Sequence, residues 1–191
     1  MPQDTEHPAS ALPVPRSRLT DHERDQAVLV ATATLAVLRV SPLDAGSSEA
    51  TTVLSSVESV DDNNPSTRLA IVTTYDYQSN ETIRSLVDLV KGELLTTRKT
   101  SGSSAPLAEI ERATAERLVL SDPHITEFLE ADVDGIEVEL LLTRTQDPKD
   151  QFFDKRVVMA LLKTRSGYLR LPPTFVNLTD LEVVTLDDLH E

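Results

Sequence analysis

The sequence predicts an α+β fold: an antiparallel sheet packed against about three helices, preceded by an extended N-terminal arm and one apolar helix. Three observations carry this. Stretches at 68–77, 136–142 and 156–164 are apolar with a period of two or on both faces, as half-buried and central strands require. Segments with apolar residues three and four apart, or with helix-start signals, lie between them at 80–94, 106–120 and 123–129. Residues 1–19 hold Pro2, Pro8, Pro13 and Pro15 and few apolar side chains, too little to offset the entropy of ordering, and read as an arm. The organisation expected is an arm at 1–19, an apolar helix at 20–40 and a single α+β domain at 41–191.

Thr20 and Glu23 form a capping box ahead of the apolar run Ala27 to Leu38, which Arg39 and Ser41-Pro42 end. The run is apolar on nearly every face, so a helix there must be buried or covered by a partner; its Val and Thr content keeps a strand open. It is too short to span a bilayer, for which ~20 residues are needed. A signal-peptide core with cleavage near Ala45 is the alternative, opposed by Asp4, Glu6, Asp21, Glu23 and Asp25 in the leader.

Residues 41–66 read either as a linker or, the preferred reading, with Thr51 to Val60 as a strand paired with Arg68 to Tyr77 in a hairpin, since the second run places Leu69, Ile71, Thr73, Tyr75 and Tyr77 on one face and needs a neighbour. From Asn80, read as a cap, Ile83, Leu86, Val87, Val90 and Leu94 predict a helix, and 99–104 a loop. Pro106 opens the next helix with Leu107, Ile110 and Leu118 inward and Glu109, Glu111, Arg112, Glu116 and Arg117 solvated. Asp122-Pro123 starts a third, buried through Ile125, Phe128 and Leu129. Asp134-Gly135 turns into the strand 136–142, and 156–164, apolar on both faces, is the central strand. Ser166-Gly167 turns it into Tyr168 to Leu171; beyond Pro172-Pro173 a strand and a short helix at the Thr179/Glu182 box close the chain.

The absence of cysteine removes disulfides, thiolate metal sites and cysteine nucleophiles, and five scattered glycines form neither phosphate-binding motif. A net charge of -14 opposes a nucleic-acid partner. Glu130, Asp132, Asp134 and Gly135 resemble the first half of a calcium loop, but position 12 is Leu141 and a strand begins where a helix should. No histidine pair, G-x-S-x-G or distinguishable carboxylate pair is present, so no catalytic residue, cofactor or metal is expected.

Charge is segregated. Seven basic residues against three acidic ones occupy 144–170, whereas 41–66 and 171–191 each carry five acids and no Lys or Arg. Lys155, Arg156, Lys163, Arg165 and Arg170 form the candidate interaction patch, unless the opposite charges pair within one molecule. The function expected is therefore a non-catalytic structural or interaction protein. It would be a subunit of a larger assembly with protein partners, such as a tailed-virus particle component from a GC-rich or halophilic host, located in the cytoplasm or virion. A secreted or periplasmic binding domain is the first alternative, and a hydrolase with an unrecognised site the second.

Overall fold

A computed structural model describes residues 18–34, 52–60, 67–129, 135–165 and 167–185. In chain order the elements are α1 (Asp21–Thr34), β1 (Thr52–Val60), β2 (Leu69–Asp76), β3 (Glu81–Asp88), β4 (Glu93–Ser101), α2 (Glu109–Ser121), α3 (Pro123–Phe128), β5 (Glu137–Thr143), β6 (Val157–Thr164), β7 (Gly167–Tyr168), β8 (Thr174–Asn177) and β9 (Glu182–Thr185). They build two antiparallel sheets, the α+β class expected but with two sheets in place of one. The first is ordered β1-β2-β3-β4; the second runs β5-β6-β8-β9, with β7 also pairing with β6. Helix α1 lies against the first sheet and α2 against the second. One plan, a helix followed by an antiparallel meander, is used twice.

The first unit closes around Ala27 and Ala31 of α1, which pack on Ala70, Val72 and Val87 of β2 and β3. Small alanines on that helix stripe let the backbone approach the sheet. The opposite stripe includes Leu29, 68% exposed, so the apolar helix buries only part of its surface. Its N-terminus is held twice. Glu23 accepts from the Thr20 N–H at 2.7 Å, completing the capping box, and receives a fork from Arg68 at the start of β2, Nε to Oε1 at 2.8 Å and Nη2 to Oε2 at 3.1 Å. Those Arg68 hydrogen bonds, with the Thr20 amide, hold the Glu23 carboxyl down at about 2. The arm through residue 17, the helix beyond Thr34 and the Ala45 cleavage point lie outside the described residues, as do the acids at 130–134.

The hairpin of β1 and β2 forms in the expected place. The helix expected over 80–94 does not: Glu81–Asp88 is a strand paired on both sides, and Glu93–Ser101 is another, which takes the first three residues of the loop expected at 99–104. Ile83, Ser85 and Val87 alternate inward in β3, and buried Ser85 hid that period of two among polar residues. The reversal between them uses Asp88, whose Oδ1 accepts from the Val90 and Lys91 N–H groups, and Gly92 at φ +67. Asn80, expected as a helix cap, instead occupies the preceding turn at φ +50.

The second unit packs Val158, Ala160 and Leu162 of β6 and Val176 of β8 against Ala115 and Val119 of α2 and Ile125 of α3. Strand β6 is interior to its sheet, as its two apolar faces predict. Asp122 caps α3 by accepting from the His124 and Ile125 N–H groups. Two positions assigned to helix cores, Ile110 and Phe128, are 42% and 59% exposed, and Glu111, assigned to solvent, is fully buried. The short helix expected after Thr179 is a turn followed by β9 over Glu182–Thr185; 186–191 lie outside the described residues. No helix among the described residues is long and apolar enough to cross a membrane.

Candidate functional site

The two units meet where Tyr75 and Tyr77 of the first pack on a buried ion pair of the second. Arg156 precedes β6 and Glu111 occupies the first turn of α2; both side chains are 0% exposed. Every guanidinium N–H of Arg156 has a partner: Nε and one Nη2 hydrogen go to Glu111, the other Nη2 hydrogen to the Pro106 carbonyl, and Nη1 to Ser103 Oγ and the Ala105 carbonyl. Glu111 also accepts from the Tyr77 hydroxyl and the Ala108 N–H, each at 2.6 Å, the latter serving the N-terminus of α2. Below the guanidinium lies the Tyr75 ring, 4.4 Å from Cζ to centroid, set edge-on to Tyr77. The joint thus ties the end of β2, the 103–108 segment, α2 and the start of β6 into one satisfied network.

These surroundings shift the participating groups. Burial pushes the Tyr75 hydroxyl up to about 12, the positive charge of Arg156 opposing and the negative charge of Glu111 assisting. Burial raises Tyr77 further, reinforced by the charge of Glu111 and the hydrogen bond to it. For Arg156, burial favours the neutral form, but the hydrogen bonds and charge of Glu111 outweigh it and hold the guanidinium above its ordinary value. A phenol raised above its unfolded value of about 10 stabilises the fold fully below that pH and loses its contribution as pH rises through its folded value. Tyr75 and Tyr77, two of the chain's three tyrosines, are therefore expected to resist ionisation until the joint opens near or above pH 12. Tyrosinate absorbance followed alongside circular dichroism checks this; all three phenols titrating near pH 10 with the fold intact is the contrary result.

Beside the joint the surface is concave. A cavity of about 500 Å³ is lined by Thr143, Arg144, Thr145, Asp150, Gln151, Phe152, Val157 and Phe175. A second, of about 270 Å³, lies against Asn80, Ser101, Ser103 and the same Arg144 and Phe152. The 146–155 connection carries part of both walls.

The candidate interaction residues do not form one surface. Arg156 is interior, its charge spent on Glu111, and so leaves the exposed patch. Lys155 pairs with Asp180 at 2.9 Å, the intramolecular neutralisation that the acidic 171–191 segment offers. Lys163 lies 3.6 Å from Glu137 and 3.3 Å from Glu139 on β5. Arg165 and Arg170 are exposed. The joint escaped sequence reading because Glu111 and Arg156 are 45 residues apart and each sits among other charged residues; the one local signal was Glu111 at the third helical position after Pro106.

No protein-family model matches the sequence, and no curated protein matches it. The chain is similar in structure to a copper-containing benzylamine oxidase from Hansenula polymorpha, with a TM-score of 0.56 and 14% identity, over 88% of this chain and 29% of the oxidase. The likeness at that identity is one of fold, and the chain spans less than a third of the oxidase's length. Copper requires several converging donors. Among the described residues no group of three or more His, Cys, Asp or Glu side chains is placed to hold a metal, and His22 and His124 are exposed on separate helices. The residues described do not fit copper.

Proposed function

We propose that this protein is a non-catalytic interaction protein that works as a subunit of a larger assembly, built at least in part from further copies of itself. The observation that carries this reading is the open edge of the second sheet. Among the described strands β5 pairs only with β6, and Leu141 and Leu142 stand 47% and 36% exposed on it. A seven-residue edge with apolar side chains and no proline is a template for a strand from another chain. A second copy suits it because the chain supplies both exposed cations beside the β6–β7 turn, Arg165 and Arg170, with Lys163 half-exposed against Glu137 and Glu139, and the acidic segments that would face them. A narrower reading, a tailed-virus particle component from a halophilic or GC-rich host, rests on the -14 charge; there, rising salt would relieve self-repulsion and strengthen assembly. A secreted or periplasmic binding domain is the second reading, favoured by the 500 Å³ cavity.

Native mass measurement at low and high salt is the test. The wild type is expected above the 21.0 kDa monomer, Leu141→Lys is expected to shift it toward monomer, and the Lys163→Glu/Arg165→Glu variant to weaken association several-fold. A wild-type protein that stays monomeric across salt and concentration overturns self-assembly.

A further inference from the structure

We propose that the cavity between β6, β8 and the 146–155 connection binds a small amphipathic carboxylic acid, its carboxylate held by Arg144 and its apolar body resting on Phe152 and Phe175. This goes beyond the assembly role and does not depend on it. The volume, about 500 Å³, falls within the roughly 300–1,000 Å³ of small-molecule sites. Its floor is apolar: Val157 is buried, and the Phe152 and Phe175 rings meet at 5.3 Å between centroids, tilted by 44°.

The wall is preformed, because the connection is a series of turns closed on themselves. Asp147 Oδ1 accepts from the Lys149 N–H and Asp150 Oδ1 from the Phe152 N–H, while the Asp150 carbonyl accepts from Phe153 and the Phe152 carbonyl from Lys155. Phe152 is thus presented to the cavity by backbone bonds made before any ligand arrives, which lowers the ordering cost of binding.

Arg144 supplies the polar end. Its guanidinium rests against Gly102, whose φ of +85 is what favours glycine there; an added Cβ would lie 2.9 Å from Nη2 and push the flexible side chain aside. In a chain with 32 acidic residues, no carboxylate among the described residues forms an ion pair with Arg144. Asp150 is itself part of the wall, with Oδ1 committed to the Phe152 N–H of its own turn, so the carboxylate of a ligand must sit on the Arg144 side of the cavity. An unpaired guanidinium at the rim of a cavity with an aromatic floor selects an anion with an apolar body, and its fork matches a carboxylate in bidentate geometry.

Calorimetric titration of the full chain with phenylacetate, its neutral isostere phenylacetamide and the cationic phenethylamine decides the matter. Saturable binding of phenylacetate is expected, with the amide weaker by about tenfold or more and the amine weaker still. Arg144→Gln should reduce phenylacetate to the affinity of the amide, at an unchanged melting temperature because the side chain is exposed, and Phe152→Ala should weaken both. No saturable binding of phenylacetate, an amide or amine that binds as tightly as the acid, or an Arg144→Gln variant with wild-type affinity overturns the proposal.

Discussion

Glu111→Ala is expected to destabilise the protein by about 3–5 kcal/mol, the cost of leaving a buried charge without its partner. Against a total of about 5–15 kcal/mol for an ordinary domain, that is a large share of the stability and all of it only in the most marginal case. Four bonds disappear together: the two from Arg156, the one from Tyr77 and the one from the Ala108 amide. Arg156 then keeps only Ser103 and two carbonyls, none of them anionic. Urea midpoints measure the loss, and Glu111→Leu combined with Arg156→Met provides the contrast. Removing both charges while filling the volume is expected to recover most of the stability, because a buried pair repays its own desolvation without much surplus. A Glu111→Ala protein within about 1 kcal/mol of wild type would mean that water reaches the pair in solution and that the joint does not bind the two units.

That result separates what was legible in the sequence from what was not. The β1–β2 hairpin, α2, α3 and the β5–β6 pair all announced themselves through periodicity near their own residues: Ile136, Val138 and Leu140 alternate, and Asp122-Pro123 stops and restarts a helix. β3 failed for a local reason too, since Ile83, Leu86, Val87, Val90 and Leu94 fit a helical stripe while the true inward set, Ile83, Ser85 and Val87, includes a serine. Lys91-Gly92 carries the contrary signal, a turn with the left-handed glycine that a helix interior disfavours. The joint was illegible for another reason. A Glu in a helix with Arg112, Glu116 and Arg117 looks solvated unless its distant partner is known, and Arg156 looks like surface because Lys155 precedes it and other Lys, Arg and acidic residues crowd the same segment. Burial of charge is a property of the assembled fold, and no spacing rule encodes it. Arg144 is one of seven basic residues in its segment, and nothing local distinguishes it, because its setting depends on Gly102, a turn glycine 42 residues earlier in the sequence.

Val87→Asp is expected to unfold the first unit, and because of the joint it should bring the second down with it. Val87 is 0% exposed in β3 and sits in the cluster of Ala27, Ala31, Ala70, Val72 and Leu89 between α1 and the sheet. A carboxylate there either stays charged among aliphatic groups or takes up a proton, and both cost several kcal/mol by the usual scale of buried ionisable groups. The substitution lies outside the second core, where Val158, Leu162 and Val176 pack on α2. The two cores communicate through the Val53, Tyr75, Ala105 and Ala108 cluster and the Arg156 network above it. If the first sheet is lost, Tyr75 no longer floors the guanidinium and Tyr77 no longer bonds Glu111, so a buried ion pair becomes half exposed. Hydrogen exchange resolved along the chain reads this directly: amides of β6 and β8 should lose protection together with those of β2 and β3. Leu161→Asp is the control on the other unit, expected to cost much less because Leu161 is only half-buried on the outer face of β6, opposite Glu139. If the Val87→Asp chain keeps full protection in β6 and β8 while β2 and β3 exchange freely, the second unit folds alone and the joint is a contact between independent parts.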